Sequence, residues 1–491
     1  FSTNRLLITV DGVRLNNAIF RGGNVQNILS INPFNVEKTE VILGSGSVIY
    51  GSDAIGGVMN FYTTTPELSE LNTPNLNAQS TVRYASANNE KTAHLDFNLG
   101  FQKWGFHSSV SVSDFGDLKM GANGLDDYLS FNYSESVNGQ DVMVSNTTPR
   151  VQKFTKFRQL HLAQKVLYKA NDDLKFDLGL HYSTTSDYPR YDRLSTYDSD
   201  GVLHYSEWNY GPQNWFLANL QMTKLSSRSS LYDKIKISSA FQNFKESRIN
   251  RKFNSDIRKI REENVDALSL NFDFYKSLST RSNISYGAEY IYNKVGSSAY
   301  KINIDTNATE AIATRYPNDS KWQTLAAYLS HKYKPNTKLT VQSGIRYNYV
   351  TIDADLTENS VFYNLPFLTA DLDTSALTGT LGFSWNPNPV FLWKLNLTTA
   401  FRAPNIDDIG KIFDPHEGVV VVPNSNLKPE YAYGGELGIA INIEESVIFD
   451  CSAYYTYLEN ALVRKSFHIH GISELYYDED MSEIQAIQNA S

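Results

Sequence analysis

The sequence predicts an all-β membrane protein, an antiparallel outer-membrane β-barrel of about fifteen strands with a sixteenth at the C-terminal end. Three observations point to it. Segments of roughly ten residues alternate apolar and polar side chains along most of the chain. Short turns alternate with long polar loops between those segments. The 491 residues include 31 Tyr and 26 Phe, yet no apolar run approaches the length of a helical span.

Lys338 to Val350 illustrates the first. Leu339, Val341, Ile345, Tyr347 and Tyr349 share one face, and Thr340, Gln342, Arg346 and Asn348 share the other. In Trp393 to Arg402, the residues Trp393, Leu395, Leu397 and Phe401 oppose Lys394, Asn396, Thr398 and Arg402. Val447 to Tyr457 repeats the arrangement, with Cys451 on the apolar side. Period two with one apolar face is the signature of a half-buried strand. A cation on a lipid face near mid-membrane costs about 2–4 kcal/mol, and in these segments the cations fall in the polar register.

The connections supply the second. Short turns are expected at 170–173, 225–232, 277–281, 334–337, 385–389 and 442–445. Long polar loops are expected near 117–157, 186–211, 245–263, 295–320, 351–372, 403–430 and 458–485. Short turns at one end and long loops at the other are what outer-membrane barrels show. A propeller would instead repeat a blade motif every 40–50 residues or so, and no such repeat is present.

The composition is the third. Mean hydropathy of −0.37 reads as soluble, but alternation of lipid-facing and lumen-facing residues averages a barrel's hydropathy away. The densest apolar run, Gly418 to Pro423, is far short of the roughly 20 residues a helical span needs. A chain that crosses lipid without such helices must do so as closed strands, which leave no backbone group unpaired.

Residues 1–66 differ in texture. Short β runs at Leu6–Val10, Lys38–Leu43 and Gly57–Thr63 are separated by Asp11-Gly12, Gly22-Gly23 and a glycine series from Gly44 to Gly57. This is a small, tightly turned unit. Residues 67–77 read as a linker and 78–491 as the barrel.

Several functions are excluded. Net charge is −9, without the basic stripe of a nucleic-acid binder. A single cysteine rules out an intrachain disulfide and a cysteine metal site. No nucleophile–base pairing suggests an enzyme, and the glycines lack the Gly-Lys-Ser/Thr ending of a phosphate loop. The chain begins at Phe1 without a basic-then-apolar leader, read as a fragment lacking both termini.

Two stretches carry a family resemblance. Arg5 to Asn17 is RLLITVDGVRLNN, and Glu37 to Thr64 is EKTEVILGSGSVIYGSDAIGGVMNFYTT. They resemble the second half of the plug domain of TonB-dependent receptors. The match runs through Asp11, Gly12, Val13, Arg14, Val36, Glu37, Glu40, Val41, Gly44, Ser47, Tyr50, Gly51, Ala54, Gly56, Gly57, Val58 and Asn60. The resemblance implies a 22-stranded type of barrel, incomplete at its C-terminus here, with a partial plug in the lumen. In the family, charged plug residues pair with the wall; Arg14, Arg21, Glu37 and Glu40 are the candidates, the alternative being solvated charges. It further implies active import across the outer membrane of a Gram-negative bacterium, driven by the TonB–ExbB–ExbD complex, with outer-membrane lipid around the wall.

A second resemblance concerns the cargo. Phe401-Arg402-Ala403-Pro404 resembles the FRAP box of heme and hemoglobin receptors, and Pro423 to Glu430 resembles their second box through Asn426 and Leu427, with Ser425 departing from it. His416 lies between them. It is either a heme contact, since neutral imidazole can be an axial ligand, or a plain loop histidine. His468 and His470, two apart, are either ligands or incidental. The aromatic segment with Tyr191, Tyr205 and Trp208 looks like an external loop of the hemoglobin-receptor-like branch common in Bacteroidota. Its rings would grip a planar ligand or a protein, while Tyr210 and Trp215 read as membrane-interface girdle. The implied cargo is heme or an iron–siderophore chelate, with no resident cofactor and no metal site. A host hemoprotein or heme-binding lipoprotein would be the partner. Cobalamin import, or capture without transport, is the alternative.

Overall fold

The computed structural model describes residues 5–15, 18–19, 28–363, 365, 368–415, 418–443, 447–477 and 480–490. The N-terminal unit is a four-stranded sheet of β1 (Leu6–Val10), β2 (Val13–Arg14), β3 (Val36–Leu43) and β4 (Gly57–Thr63), ordered β2-β1-β4-β3. β1 and β4 pair in parallel, Leu6 opposite Gly57 and Val10 opposite Phe61. Alternate residues of β1 face two ways. Leu7 packs on Ala54 and Val58 inside the unit, whereas Ile8 and Val10 join Trp215, Leu217 and Ala240 of the surrounding wall in one buried cluster. The unit therefore sits in the bore and shares its core with the barrel.

The wall is one antiparallel sheet whose strands follow a cyclic order. Of its eighteen strand segments, Tyr188–Pro189, Tyr205–Tyr210 and Thr309–Ala311 are short pieces within the external connections, which leaves fifteen long strands. They run from Asn75–Ala85 to Val447–Glu459. The first and last strands are neighbours in this cyclic order and are exposed along nearly their whole length.

The faces are inverted relative to a soluble sheet. In Leu339–Asp353, Ile345, Tyr347 and Tyr349 point outward, 39–50% exposed, while Arg346 and Asn348 on the bore side are 1% exposed. Neighbouring strands continue the band with Leu325, Leu329, Leu377 and Leu381, all exposed. Soluble monomers rarely show a contiguous apolar patch above a few hundred Å². A band around a cylinder is stable only against hydrocarbon.

Four expectations need correction. The stretch 245–263 is not a long loop. Strands Lys234–Lys252 and Ile257–Ser279 stay in register to Arg251↔Arg258, leaving only a short turn. A transmembrane strand needs about 9–11 residues, so a 23-residue strand projects far outside the membrane, where charge on both faces costs little. The expected sixteenth wall strand is also absent among the described residues. Leu462–Ser466, Glu474–Tyr477 and Asp480–Asn489 instead form a small sheet with Val419–Val422, seated over the outer end of the bore. Trp215 and Tyr210 are not girdle residues; they are 4% and 7% exposed and face the bore, Trp215 against the plug and Tyr210 beneath Arg248. Phe401, expected on the lipid face, is buried where the plug reaches the wall, its carbonyl accepting from Asp53 N.

Candidate functional site

Two polar regions lie inside the barrel, one binding plug to wall and one opening outward above it. The first follows from the bore being lined with polar side chains. Arg402, at the top of Phe391–Arg402, is 2% exposed. Its Nη2 lies 2.5 Å from Asp408 Oδ2, and Asp53 of the plug and Glu430 of the next strand each come within 3.9 Å. Glu430 also receives Arg5 of the plug at 2.6 Å. On the plug, Arg14 binds Asp53 at 3.0 Å and approaches Glu289 of the wall at 3.9 Å. Glu289 in turn binds Arg346 at 2.6 Å. Lower down, Asp11 holds Thr63 at 2.6 Å and lies 3.3 Å from Lys165 of the wall. Buried charges persist only when paired in this way.

Glycine is required at one contact between plug and wall and at one inside the plug. Gly51 has φ +79, and a Cβ there would lie 2.8 Å from Arg346 Nη2. Gly57, at φ +159, would place a Cβ 2.5 Å from the carbonyl oxygen of Ile42. Gly51→Ala is expected to cost about 1–3 kcal/mol, because φ +79 with ψ −147 is a backbone region essentially reserved for glycine. Its midpoint in denaturant should fall with m unchanged, and an unchanged midpoint would refute the close approach.

The second region is a cavity of about 490 Å³ at the end carrying the long connections. Seven cationic side chains line it against three acidic ones. The one-turn helix Ile406–Ile409 forms its floor, capped by a reciprocal pair in which Asn405 and Asp408 each accept the other's backbone N–H. Asp407 is engaged with Lys411 Nζ at 2.7 Å and Asp408 with Arg402. Aromatic rings support the cations. The Arg190 guanidinium lies 4.9 Å from the Trp208 ring centroid, Arg248 lies 5.6 Å from Tyr210, and Lys411 lies 4.1 Å from Phe413.

A hairpin, Asn132–Val137 with Gln140–Ser145, is tied beside this cavity. Asp141 accepts from both terminal nitrogens of Arg251, at 2.7 and 2.8 Å, and Glu207 takes Arg258 at 2.7 Å.

Among the ligand candidates read from the sequence, Tyr205 and Trp208 line the cavity. Trp208 carries a guanidinium on its ring, so the aromatic cluster serves partly as a platform for arginine. Tyr191 lies to the side, its hydroxyl donating to Tyr128 O. His468 and His470 are exposed, do not line the cavity, and belong to no metal-binding cluster among the described residues. His416 and Arg21 lie outside the described residues. In the FRAP box, Arg402 and Pro404 are buried, and Ala403 N donates to Ser52 Oγ of the plug at 3.1 Å. That box grips the plug. Leu427 is buried in the shared core and Asn426 is exposed.

Of the plug charges, Arg14 comes within 3.9 Å of the wall. Glu37 accepts from Thr65 N, and Glu40 binds Lys38 and Tyr62, all within the plug and its exit, which is the solvated-charge alternative. Asp11 and Gly12 form the expected turn, with φ +50 and +85, and Gly56 N donates to Arg5 O. Sequence reasoning missed Arg5, Asp53, Lys165, Glu289, Arg346 and Glu430 in the plug–wall contacts, and Arg190, Arg193, Arg315 and Arg464 around the cavity. Arg346 alone carried a signal, as a cation in the bore register of its strand.

Residues 188–469 match the family described as TonB dependent receptor-like, beta-barrel, and residues 1–58 match the TonB-dependent Receptor Plug Domain. The chain belongs to the TonB-dependent receptor family. A vitamin B12 transporter BtuB from Vibrio vulnificus (strain CMCP6) is 36% identical over 144 residues, 28% of this receptor and 23% of that protein. The receptor thus spans less than a quarter of that curated relative. Solved structures agree in fold at low identity. The copper transporter OprC superposes with TM-score 0.72 at 13% identity, covering 99% of this chain and 66% of that one. The Serratia marcescens hemophore receptor HasR, in complex with its hemophore HasA and heme, gives 0.69 at 12%, covering 99% and 69%. The FrpB iron transporter from Neisseria meningitidis gives 0.68 at 14%, covering 99% and 68%. The family is one of transporters and receptors, not enzymes.

Proposed function

We propose that this receptor imports a scarce, large ligand across the outer membrane of a Gram-negative bacterium, the TonB–ExbB–ExbD complex supplying the energy. Heme or an iron–siderophore chelate is the cargo favoured. The observation that carries the reading is a plug held in the bore by buried ion pairs, beneath an outward cavity of about 490 Å³. Likeness in fold to a heme receptor and to an iron transporter supports the cargo class, and the HasR–HasA complex supports a hemoprotein partner. The local identity with BtuB favours cobalamin as the second reading.

Growth of the host with heme, a ferric siderophore or cobalamin as the limiting nutrient tests this, with and without the gene and with and without TonB. Gene- and TonB-dependent growth on heme or the siderophore is expected. Dependence on cobalamin alone would select the second reading. Ligand capture with no TonB-dependent uptake would remove import altogether.

A further inference from the structure

We infer that the outer cavity recognises its cargo through several anionic groups, carboxylate or phosphate, on one molecule, with Arg315 as the central anion-binding side chain. The inference rests on the import reading and narrows its substrate class. Arg315 lines the cavity and is 8% exposed. Its Nη1 has no hydrogen-bond partner, and no carboxylate of the described residues lies within ion-pair distance. Among the described residues two rings lie beside it, Tyr316 at 5.4 Å and Phe413 at 5.6 Å from the guanidinium carbon.

A buried guanidinium without a counter-charge is costly. Such groups are retained where an incoming partner supplies what the fold does not. The surroundings favour an anion as that partner. Arg464 also lines the cavity and has no ion pair among the described residues, and Arg193 binds only the neutral carbonyl of Pro415. Three of the rings lining the cavity already carry cations, Trp208 under Arg190, Tyr210 under Arg248 and Phe413 under Lys411 and Arg315, while Tyr205 and Tyr477 pack on His204 and Tyr363. A guanidinium presents a planar fork that matches carboxylate or phosphate with two hydrogen bonds. Concentrating such forks in a cleft of a chain with net charge −9 focuses attraction for anions at one place.

The test is calorimetric titration of the intact chain in lipid nanodiscs with citrate, with inorganic pyrophosphate and with uncharged maltotriose. Saturable binding of citrate or pyrophosphate, weakened by added salt, is expected, and none of maltotriose. The two anions distinguish carboxylate from phosphate chemistry. Arg315→Gln should weaken anion binding about tenfold or more, the loss of one charged hydrogen-bonding group, and the exposed Arg464→Gln should weaken it less. The ligand-free melting temperature of Arg315→Gln should stay the same or rise, because an unpaired buried charge has gone; a purely structural arginine would lower it. Absence of saturable anion binding, equal affinity in Arg315→Gln, or equal binding of maltotriose would overturn the inference. Failed anion binding with TonB-dependent import intact removes this inference alone. Anion binding without import supports the cavity chemistry and removes the transport reading.

Discussion

Arg402→Ala is expected to release the top of the plug from the wall, at a cost of about 3–5 kcal/mol, the range for removing one partner of a buried ion pair. Arg402 stands among Asp408, Glu430 and Asp53, none of them accessible to water in quantity. Without it, three carboxylates crowd one buried place, where Arg5 binds Glu430 and Arg14 binds Asp53 but Asp408 loses its arginine. The loss should appear as faster amide exchange across residues 47–63 and a lower melting temperature in detergent. Arg402→Lys should fall between, since a single ammonium cannot bridge acids on three segments. Protection of 47–63 that is unchanged in Arg402→Ala would show that the plug is held elsewhere.

Leu329→Arg is expected to cost about 2–4 kcal/mol in a bilayer, the penalty for a cation on the lipid face near the midplane. Leu329 lies outward, 47% exposed, opposite Ile345 on the next strand, which is also outward. The control is Thr340→Arg, which adds the same charge to the bore register and should change stability little. Folding yield into lipid vesicles, read as protease-resistant protein, distinguishes them. Equal yields would mean that the outward band does not meet hydrocarbon.

Both predictions reuse features of uneven legibility. The inward position of Arg346 and Asn348 was readable, because each residue of a strand meets the opposite solvent from its neighbour. The same rule failed at 245–263. There Arg248 pairs with Glu246 and Glu263 across two strands. Those charges looked like a solvated loop until the register brought them together. It failed again at Tyr210 and Trp215, whose rings suit a membrane interface equally well as a polar bore. In the cavity, Tyr205 and Trp208 were legible as clustered aromatics, whereas Arg315, in an unremarkable Thr-Arg-Tyr-Pro stretch, was not.

The linear chain alone determined most of the strands and of their inward and outward faces, the short turns at one end and the glycine-rich unit, because period-two patterning and turn chemistry act over a few residues. Only the tertiary structure decided which charges meet. Arg5 and Glu430 stand 425 positions apart, and no local pattern encodes such a pair. The same holds for the small sheet over the bore and for Arg315. Their places follow from closing the sheet around the plug, which brings distant segments together in one interior.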